Sequence, residues 1–163
     1  MSKMTHILDF YTGYNTFFIS SDNGAAIKGN WLGGQNINNN NRLLHANNLL
    51  GVRTASYGHI KGELVLLSNS NNPIAYGKYD HIVECGVSAD SGLIQILECP
   101  GSQVVFEIKV KAGLYRIRIY MIGINSADID EDEGNDRYII EIWPDTNIEL
   151  KVLKRCKPNS SKR

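Results

Sequence analysis

Apolar and polar residues alternate most regularly between residues 92 and 143. Every second residue is apolar in 104–110 and again in 115–121. A period of two predicts β-strands that bury one face. A third such run covers 137–143 and stops at Pro144, because proline has no amide hydrogen to donate to a neighbouring strand. The pattern therefore predicts consecutive antiparallel strands at the centre of the protein.

Short turn signals separate the predicted strands. Lys111-Ala112-Gly113 predicts a tight hairpin turn after the strand at 104–110, since Gly113 tolerates a positive φ. Thr12-Gly13 predicts a second hairpin, between strands at 5–11 and 15–20. Turns this short are typical of neighbouring antiparallel strands in one sheet.

Further segments of strand-like composition complete the prediction. They lie at 51–57, 63–67, 79–87, 92–98 and 148–152. Regularly spaced short strands with turn signals between them are typical of a sandwich. We expect an all-β fold, an antiparallel β-sandwich of about eight or nine strands. A single domain is expected over residues 1–153.

The segment from Ser21 to Asn48 has a different composition. It contains several glycines and the run Asn38-Asn39-Asn40-Asn41, which favour turns and solvated backbone. The pattern predicts a long Asn/Gly-rich surface loop here, with Trp31 anchoring it to the core. The leucines and alanine of 43–50 predict one short helix. The basic, serine-rich segment 154–163 predicts a flexible tail.

The charge and the cysteine content limit the classes of partner and the cellular compartment that the sequence predicts. The chain has 17 Lys and Arg against 17 Asp and Glu, so a polyanion does not attract it as a whole. No apolar stretch approaches the roughly 20 residues that span a bilayer, and the N-terminus lacks a signal-peptide pattern. Cys85, Cys99 and Cys156 are expected to be reduced thiols, with a Cys85–Cys99 bridge as the alternative. We expect a cytoplasmic protein that binds neither nucleic acid nor membrane.

Motifs for catalysis or cofactor binding are missing. The chain contains no nucleophile elbow, no phosphate-binding glycine loop and no paired-cysteine or His-Glu-x-x-His metal motif. The four histidines are far apart in sequence, and each is expected to be structural or solvent-facing. An enzyme with a dispersed site at Asp80, His81 and Glu84 remains an alternative. The favoured prediction is a protein that is not an enzyme and binds no cofactor.

One cluster of charge stands out, at residues 128–136. Six of these nine residues are acidic. An EF-hand alignment fails, because Glu133 takes the glycine position and Ile139 takes the bidentate position. A looser calcium site and a merely solvated loop remain open, but a local negative field in a neutral protein also suits a basic partner surface. The candidate partner-binding residues are Asp128, Asp130, Glu131, Asp132, Glu133 and Asp136.

Four motifs resemble a family pattern. They are Tyr79-Asp80-His81-Ile82-Val83-Glu84, Ser91-Gly92-Leu93, Ala112-Gly113-Leu114-Tyr115-Arg116-Ile117-Arg118 and Asp136-Arg137-Tyr138-Ile139-Ile140-Glu141-Ile142-Trp143-Pro144. Their layout resembles the competence protein J family of small bacterial proteins, which includes an inhibitor of a DNA-entry nuclease. The resemblance covers residues 79–144 well and the first half of the chain poorly. It implies a β-sandwich and an inhibitory function.

Together these observations favour a non-enzymatic protein-binding module. We expect an inhibitor or immunity-type protein whose acidic loop binds a nuclease or toxin, because a nuclease cleft is basic and carboxylates can mimic phosphates. The alternative is a carbohydrate- or calcium-binding sandwich that uses Trp31 and the Asn-rich segment 36–48 as contacts.

Overall fold

The computed structural model describes residues 3–24, 40–46, 48–70, 73–125 and 134–157. These residues form eleven strands and one short 3-10 turn at Tyr76–Lys78. The strands are β1 (Lys3–Tyr11), β2 (Thr16–Ser20), β3 (Leu43–Ala46), β4 (Leu49–Arg53), β5 (His59–Leu67), β6 (His81–Ala89), β7 (Leu93–Glu98), β8 (Val104–Lys109), β9 (Gly113–Ile122), β10 (Arg137–Pro144) and β11 (Lys151–Lys154).

The strands form two sheets. One has six strands in the order β1-β5-β10-β9-β6-β11, and the other has five in the order β3-β4-β2-β7-β8. Among the pairs described, β5 and β10 are parallel and all others are antiparallel. The predicted all-β sandwich is confirmed, with more strands than the eight or nine expected.

The main core fills the space between the two sheets. In β9 the predicted inward face is confirmed, since Tyr115, Ile117, Ile119 and Met121 all belong to this core. Its neighbour β10 adds Tyr138, Ile140 and Ile142, and β2 adds Phe17 and Ile19 from the opposite sheet. The period of two thus identifies the core-facing residues of the central strands.

The outer face of the six-stranded sheet is also buried at its centre, although it carries charged residues. The chain between β5 and β6 runs from the second strand of this sheet to the fifth, so it crosses β10 and β9. Tyr79 at the end of this crossing packs on Tyr120 of β9, with ring centroids 4.4 Å apart. On the same sheet Glu84, Arg116 and Arg118 are at most 5% exposed, and Arg116 donates to the carbonyls of Asn147 and Glu149 in the β10–β11 connection.

Two predicted hairpins are wrong. The turn at Thr12-Gly13 does not pair β1 with β2, because β1 lies in the six-stranded sheet and β2 in the five-stranded sheet. The turn before Gly113 likewise carries the chain from β8 in one sheet to β9 in the other. A short turn allows either arrangement, and the strands separate because each buries its apolar face against the opposite sheet.

The predicted short helix at 43–50 is also wrong. These residues form β3 and the start of β4, which pair with each other in antiparallel register. Leu43 and Leu50 enter the main core, whereas Leu49 faces a second apolar cluster with Phe18 and Leu97. Burial on both sides of β4 favours a strand in the middle of a sheet over an amphipathic helix.

The described chain continues to residue 157, past the expected end of the domain at 153. Lys154 is the last residue of β11. The Arg155 guanidinium donates to the backbone carbonyl of Asn40 over 2.8 Å, and the amide of Cys156 donates to His81 over 3.2 Å. Residues 158–163 of the predicted tail lie outside the described residues. All three cysteines are free thiols.

Gly62→Ala should destabilise the fold severely. Gly62 lies opposite Tyr138 in the parallel β5–β10 pair, and an added Cβ would overlap the Tyr138 carbonyl oxygen. We expect a loss of about 3 kcal/mol or more, because rigid backbone must move. Gly77→Ala is the matched control, since no atom lies within 4 Å of its added Cβ. Urea unfolding of both variants is the measurement, and equal stabilities would contradict the close strand approach.

Candidate functional site

The acidic segment joins two neighbouring strands at one end of the sandwich. It connects β9 to β10, whose terminal residues Ile122 and Arg137 pair with each other. Of the predicted partner-binding residues, Asp128, Asp130, Glu131, Asp132 and Glu133 lie outside the described residues. The described structure therefore places the two anchors of this segment, which are Asn125 and Gly134.

Asp136, the sixth predicted partner-binding residue, is buried rather than solvent-facing. It is 2% exposed. Its Oδ2 accepts hydrogen bonds from the amide of Ser56 at 3.1 Å, from the Ser56 hydroxyl at 2.9 Å and from the Tyr138 hydroxyl at 2.7 Å. A buried carboxylate with such partners positions its neighbours and offers no surface to a binding protein.

Tyr138 completes this network. Its hydroxyl donates to Asp136 and accepts from the amide of Ala55 at 2.7 Å. Burial, followed by the nearby Asp136 charge, raises the pKa of Tyr138 well above its ordinary value, so the phenol stays protonated and can donate. The Asp136-Arg137-Tyr138 motif thus attaches the start of β10 to the β4–β5 connection (residues 54–58).

Exposed aromatic residues surround this connection. Tyr11, Tyr14 and Tyr57 are 66%, 61% and 39% exposed. Tyr11 stacks on His59 with ring centroids 4.5 Å apart, and Tyr14 lies 6.3 Å from Tyr57 at an inclined angle. We call Tyr11, Tyr14, Tyr57 and His59 the aromatic end. Exposed tyrosines of this kind are enriched in protein interfaces.

The backbone of Tyr14 forms part of a tight turn, which fixes the position of this residue. Tyr14 and Asn15 have φ values of 53° and 52°, and the Thr16 amide donates to the Gly13 carbonyl at 3.2 Å. This is a tight turn of the type that joins strands, but its first central residue is a tyrosine, where Gly, Asn or Asp is favoured. The strain is of order 1 kcal/mol.

Hydrogen bonds from the β4–β5 connection offset that strain. The Thr54 amide donates to the Asn15 carbonyl at 2.8 Å, and the Asn15 side-chain amide donates to the Ala55 carbonyl at 3.3 Å. The Thr16 hydroxyl also donates to the Tyr14 carbonyl at 3.0 Å. The ring of Tyr14 therefore projects from a fixed backbone.

The β4–β5 connection contacts the C-terminal anchor of the acidic segment and also carries Tyr57 of the aromatic end. Gly134, the C-terminal anchor of the segment, packs so closely on the β4–β5 connection that an added Cβ would lie 3.1 Å from Cβ of Ser56. Tyr57 is the next residue along that connection. The residue at which the acidic segment rejoins the fold therefore lies against the connection that presents Tyr57.

Sequence reasoning did not find the aromatic end. The available signal was two tyrosines at turn positions, in Tyr14-Asn15 and Tyr57-Gly58, where an apolar ring has no neighbouring strand to cover it. The two turns are more than 40 residues apart in the chain, and only the pairing of strands brings them together.

The dispersed enzyme site does not assemble. The side chain of Asp80 accepts from the Ile124 amide at 3.1 Å, and Glu84 lies 3.4 Å from the guanidinium groups of both Arg116 and Arg118. His81 is fully buried and bonded on both ring nitrogens to other residues. Each of the three side chains is thus engaged separately in the scaffold.

The described residues contain no group of three or more His, Cys, Asp or Glu side chains arranged to hold a metal ion. Of the predicted contacts for carbohydrate, Trp31 and residues 36–39 and 47 of segment 36–48 lie outside the described residues. Within the ranges that are described, no helix has the length and apolar character needed to cross a membrane.

His81 connects the C-terminal segment to the rest of the fold. Its Nε2 donates to the Asn41 carbonyl at 2.8 Å, and its Nδ1 accepts from the Cys156 amide at 3.2 Å, so the ring is neutral. Burial lowers the pKa of His81 to about 4, and the nearby Arg42 and Arg155 charges contribute to the lowering.

Stability should fall as pH falls from about 6.5 to about 4, because the unfolded chain binds a proton at His81 before the folded chain does. Above that window His81 contributes no pH dependence. The expected loss from this group is roughly 1–3 kcal/mol. Urea unfolding of His81→Asn should show a shallower decline than wild type. The exposed His45→Gln is the control, and an unchanged slope in His81→Asn would contradict the assignment.

Comparison with known proteins gives two structural neighbours. No family model matches the sequence, and no curated protein matches it. The structure described as crocagin biosynthetic gene J superposes with a TM-score of 0.59 at 16% identity, covering 89% of this chain and 99% of that one. The structure of ComJ, inhibitor of the DNA degrading activity of NucA, from Bacillus subtilis, superposes with a TM-score of 0.58 at 13% identity, covering 89% of this chain and 100% of that one. The predicted resemblance to the competence protein J family is therefore confirmed at the level of the fold, which this chain shares over nearly its whole length.

Proposed function

We propose that this chain is a protein-binding inhibitor or immunity-type protein that contacts a nuclease or toxin through its acidic segment and its aromatic end. One observation carries the proposal: Gly134, where the acidic segment rejoins the fold, packs on the connection that presents Tyr57. The shared fold adds support, because ComJ is described as an inhibitor of the DNA degrading activity of NucA.

The acidic segment supplies long-range attraction. Residues 128–133 carry five carboxylates, while the chain as a whole is neutral. A concentrated negative field speeds association with a basic surface and depends strongly on ionic strength. Nuclease clefts are basic because they hold phosphates, so carboxylates in the cleft would exclude the nucleic acid.

The aromatic end supplies short-range affinity. Tyrosine rings bury a large area at a low entropic cost, and their hydroxyls satisfy polar groups on a partner. Tyr14 loses little backbone freedom on binding, because its turn is already held by the β4–β5 connection. Steering and affinity thus reside in adjacent but separate groups of residues.

Neutralising the acidic segment should weaken inhibition and its salt dependence. We expect Asp130→Asn/Asp132→Asn to lower affinity by about tenfold at low salt and by much less at high salt, because the lost attraction is screened. The assay is DNA degradation by purified nucleases from the native host, with NucA as a reference, titrated with the inhibitor at several salt concentrations.

Asp90→Asn is the matched control for that assay. Asp90 is exposed and follows β6 at Ala89, which pairs with Gly113 at the opposite end of the sandwich. If wild-type protein leaves every nuclease of the panel active, the nuclease-inhibitor function is wrong. Calcium calorimetry and a glycan array on the same preparation then test the alternative sandwich functions.

Removing the Tyr14 ring should weaken binding independently of salt. Tyr14→Asn is the informative change, because asparagine tolerates positive φ and preserves the turn. We expect roughly tenfold or greater loss of affinity, mainly through faster dissociation, with stability unchanged. Tyr76→Ala, at another tyrosine that is 46% exposed, is the control. Equal affinity of Tyr14→Asn and wild type for an inhibited nuclease would remove the aromatic end from the interface.

A further inference from the structure

β1 is an edge strand of the six-stranded sheet. It pairs with β5 along its whole length, from Lys3 opposite Leu67 to Tyr11 opposite His59. No strand among the described ranges pairs with its other side. Within the part of the chain that the structure describes, these nine residues of extended chain, about 30 Å, therefore form an edge with backbone amides and carbonyls on its outer side.

This edge lacks several of the features that usually prevent pairing with another chain, although its Lys3 and Asp9 are charged. It contains no proline or glycine and pairs with β5 without a register shift. The other edge strands differ: β3 has four residues, and the β11 and β8 ladders each contain a shift. Natural edges are usually shortened, bulged or charged along their length, whereas Ile7 at the middle of β1 is 74% exposed.

The pattern of β1 is complementary to itself. In an antiparallel pair centred on Ile7, all nine residues of each strand find a partner, with Thr5 opposite Asp9 and Lys3 opposite Tyr11. Lys3 of one copy then lies beside the Tyr11 ring and within diagonal reach of Asp9 of the other. The exposed Ile7 side chains meet at the symmetry axis, where each covers the other.

The neighbouring edge of the second sheet adds apolar surface. The Phe106 ring of β8 lies 5.1 Å from the His6 ring, so the edge of the five-stranded sheet is directly behind β1. Val104 and Val105 on that edge are 45% and 38% exposed, and Met4 of β1 is 53% exposed. Pairing through β1 would bring these side chains toward their counterparts in a second copy.

We propose that a second copy of this chain pairs with β1 in antiparallel register centred on Ile7, giving a two-fold symmetric dimer with a continuous twelve-stranded sheet, twice the six of one copy. Because Tyr11 ends β1, the antiparallel pairing places the two aromatic ends at opposite ends of the dimer. Tyr14 and Tyr57 of each copy remain accessible, whereas Tyr11 contacts Lys3 of the other copy. The dimer is inferred from β1 alone and holds whether or not the proposed inhibitor function does.

Light scattering after size exclusion tests the dimer. Wild-type protein should have twice the monomer mass from micromolar to near-millimolar concentration. Ile7→Lys should raise the dissociation constant roughly tenfold or more, because two lysines meet at the axis and the apolar contact is lost. Leu114→Lys places the same side chain at a 37% exposed leucine of β9, away from β1, and should leave the mass at that of the dimer.

Cysteine cross-linking tests the register. A mixture of Thr5→Cys and Asp9→Cys proteins should form a covalent heterodimer rapidly under mild oxidation, because the two positions are directly opposed. Thr5→Cys alone should cross-link slowly, since its two copies are four residues out of register. Circular dichroism checks that each variant is folded, and Ile7→Thr, a milder change on the same solvent-facing side, replaces Ile7→Lys if that variant unfolds.

Each result decides the proposal. A monomeric wild type at the highest concentration overturns it, as does a dimer that Leu114→Lys dissociates and Ile7→Lys or Ile7→Thr does not. Preferential cross-linking of Thr5→Cys with itself would overturn the antiparallel register. A dimer with the expected variants and cross-links supports it, including in a preparation that inhibits no nuclease.

Discussion

Burying the Asp136 carboxylate constrains the whole end of the sandwich that carries the candidate site. An ionised carboxylate is strongly disfavoured away from water unless hydrogen bonds replace its hydration. Ser56 and Tyr138 supply those bonds to a single oxygen. The β4–β5 connection must therefore stay against the start of β10. That connection in turn fixes the Asn15 turn and presents Tyr57, so the surface geometry depends on one buried group.

At this end of the sandwich, one group of residues is buried and holds the backbone in place, and another group is exposed to solvent. The scaffold groups Asp136 and Tyr138 are almost completely buried, whereas Tyr11 and Tyr14 expose more than half of their surface. A binding surface of this kind loses little conformational freedom when a partner docks, because the backbone beneath the rings is already ordered. Elsewhere the sandwich buries Glu84 3.4 Å from both Arg116 and Arg118, so this carboxylate is compensated by opposite charge.

Local sequence patterns were sufficient to predict where the strands lie, but not which strands pair with each other. The alternation in 115–121 and 137–143 identified the core faces of β9 and β10, because burial of one face is a property of each strand alone. The turns at Gly13 and Gly113 were assigned to hairpins, yet each carries the chain between sheets. Turn residues specify a local change of direction, and the choice of sheet depends on which apolar face meets which. The same limit explains 43–50, where leucines compatible with a helix pair as β3 and β4.

The amino-acid sequence by itself determined the all-β class, the inward residues of the central strands and the concentration of acid at 128–136. Those features are local, since alternation and charge are set by neighbours in the chain. Only the tertiary structure decided that Asp136 is a buried scaffold group, and that Tyr14 and Tyr57 lie close together. Only it left the nine-residue strand β1 at the edge of the described sheet with Ile7 exposed. These features arise from pairing between distant segments, which no single stretch of sequence encodes.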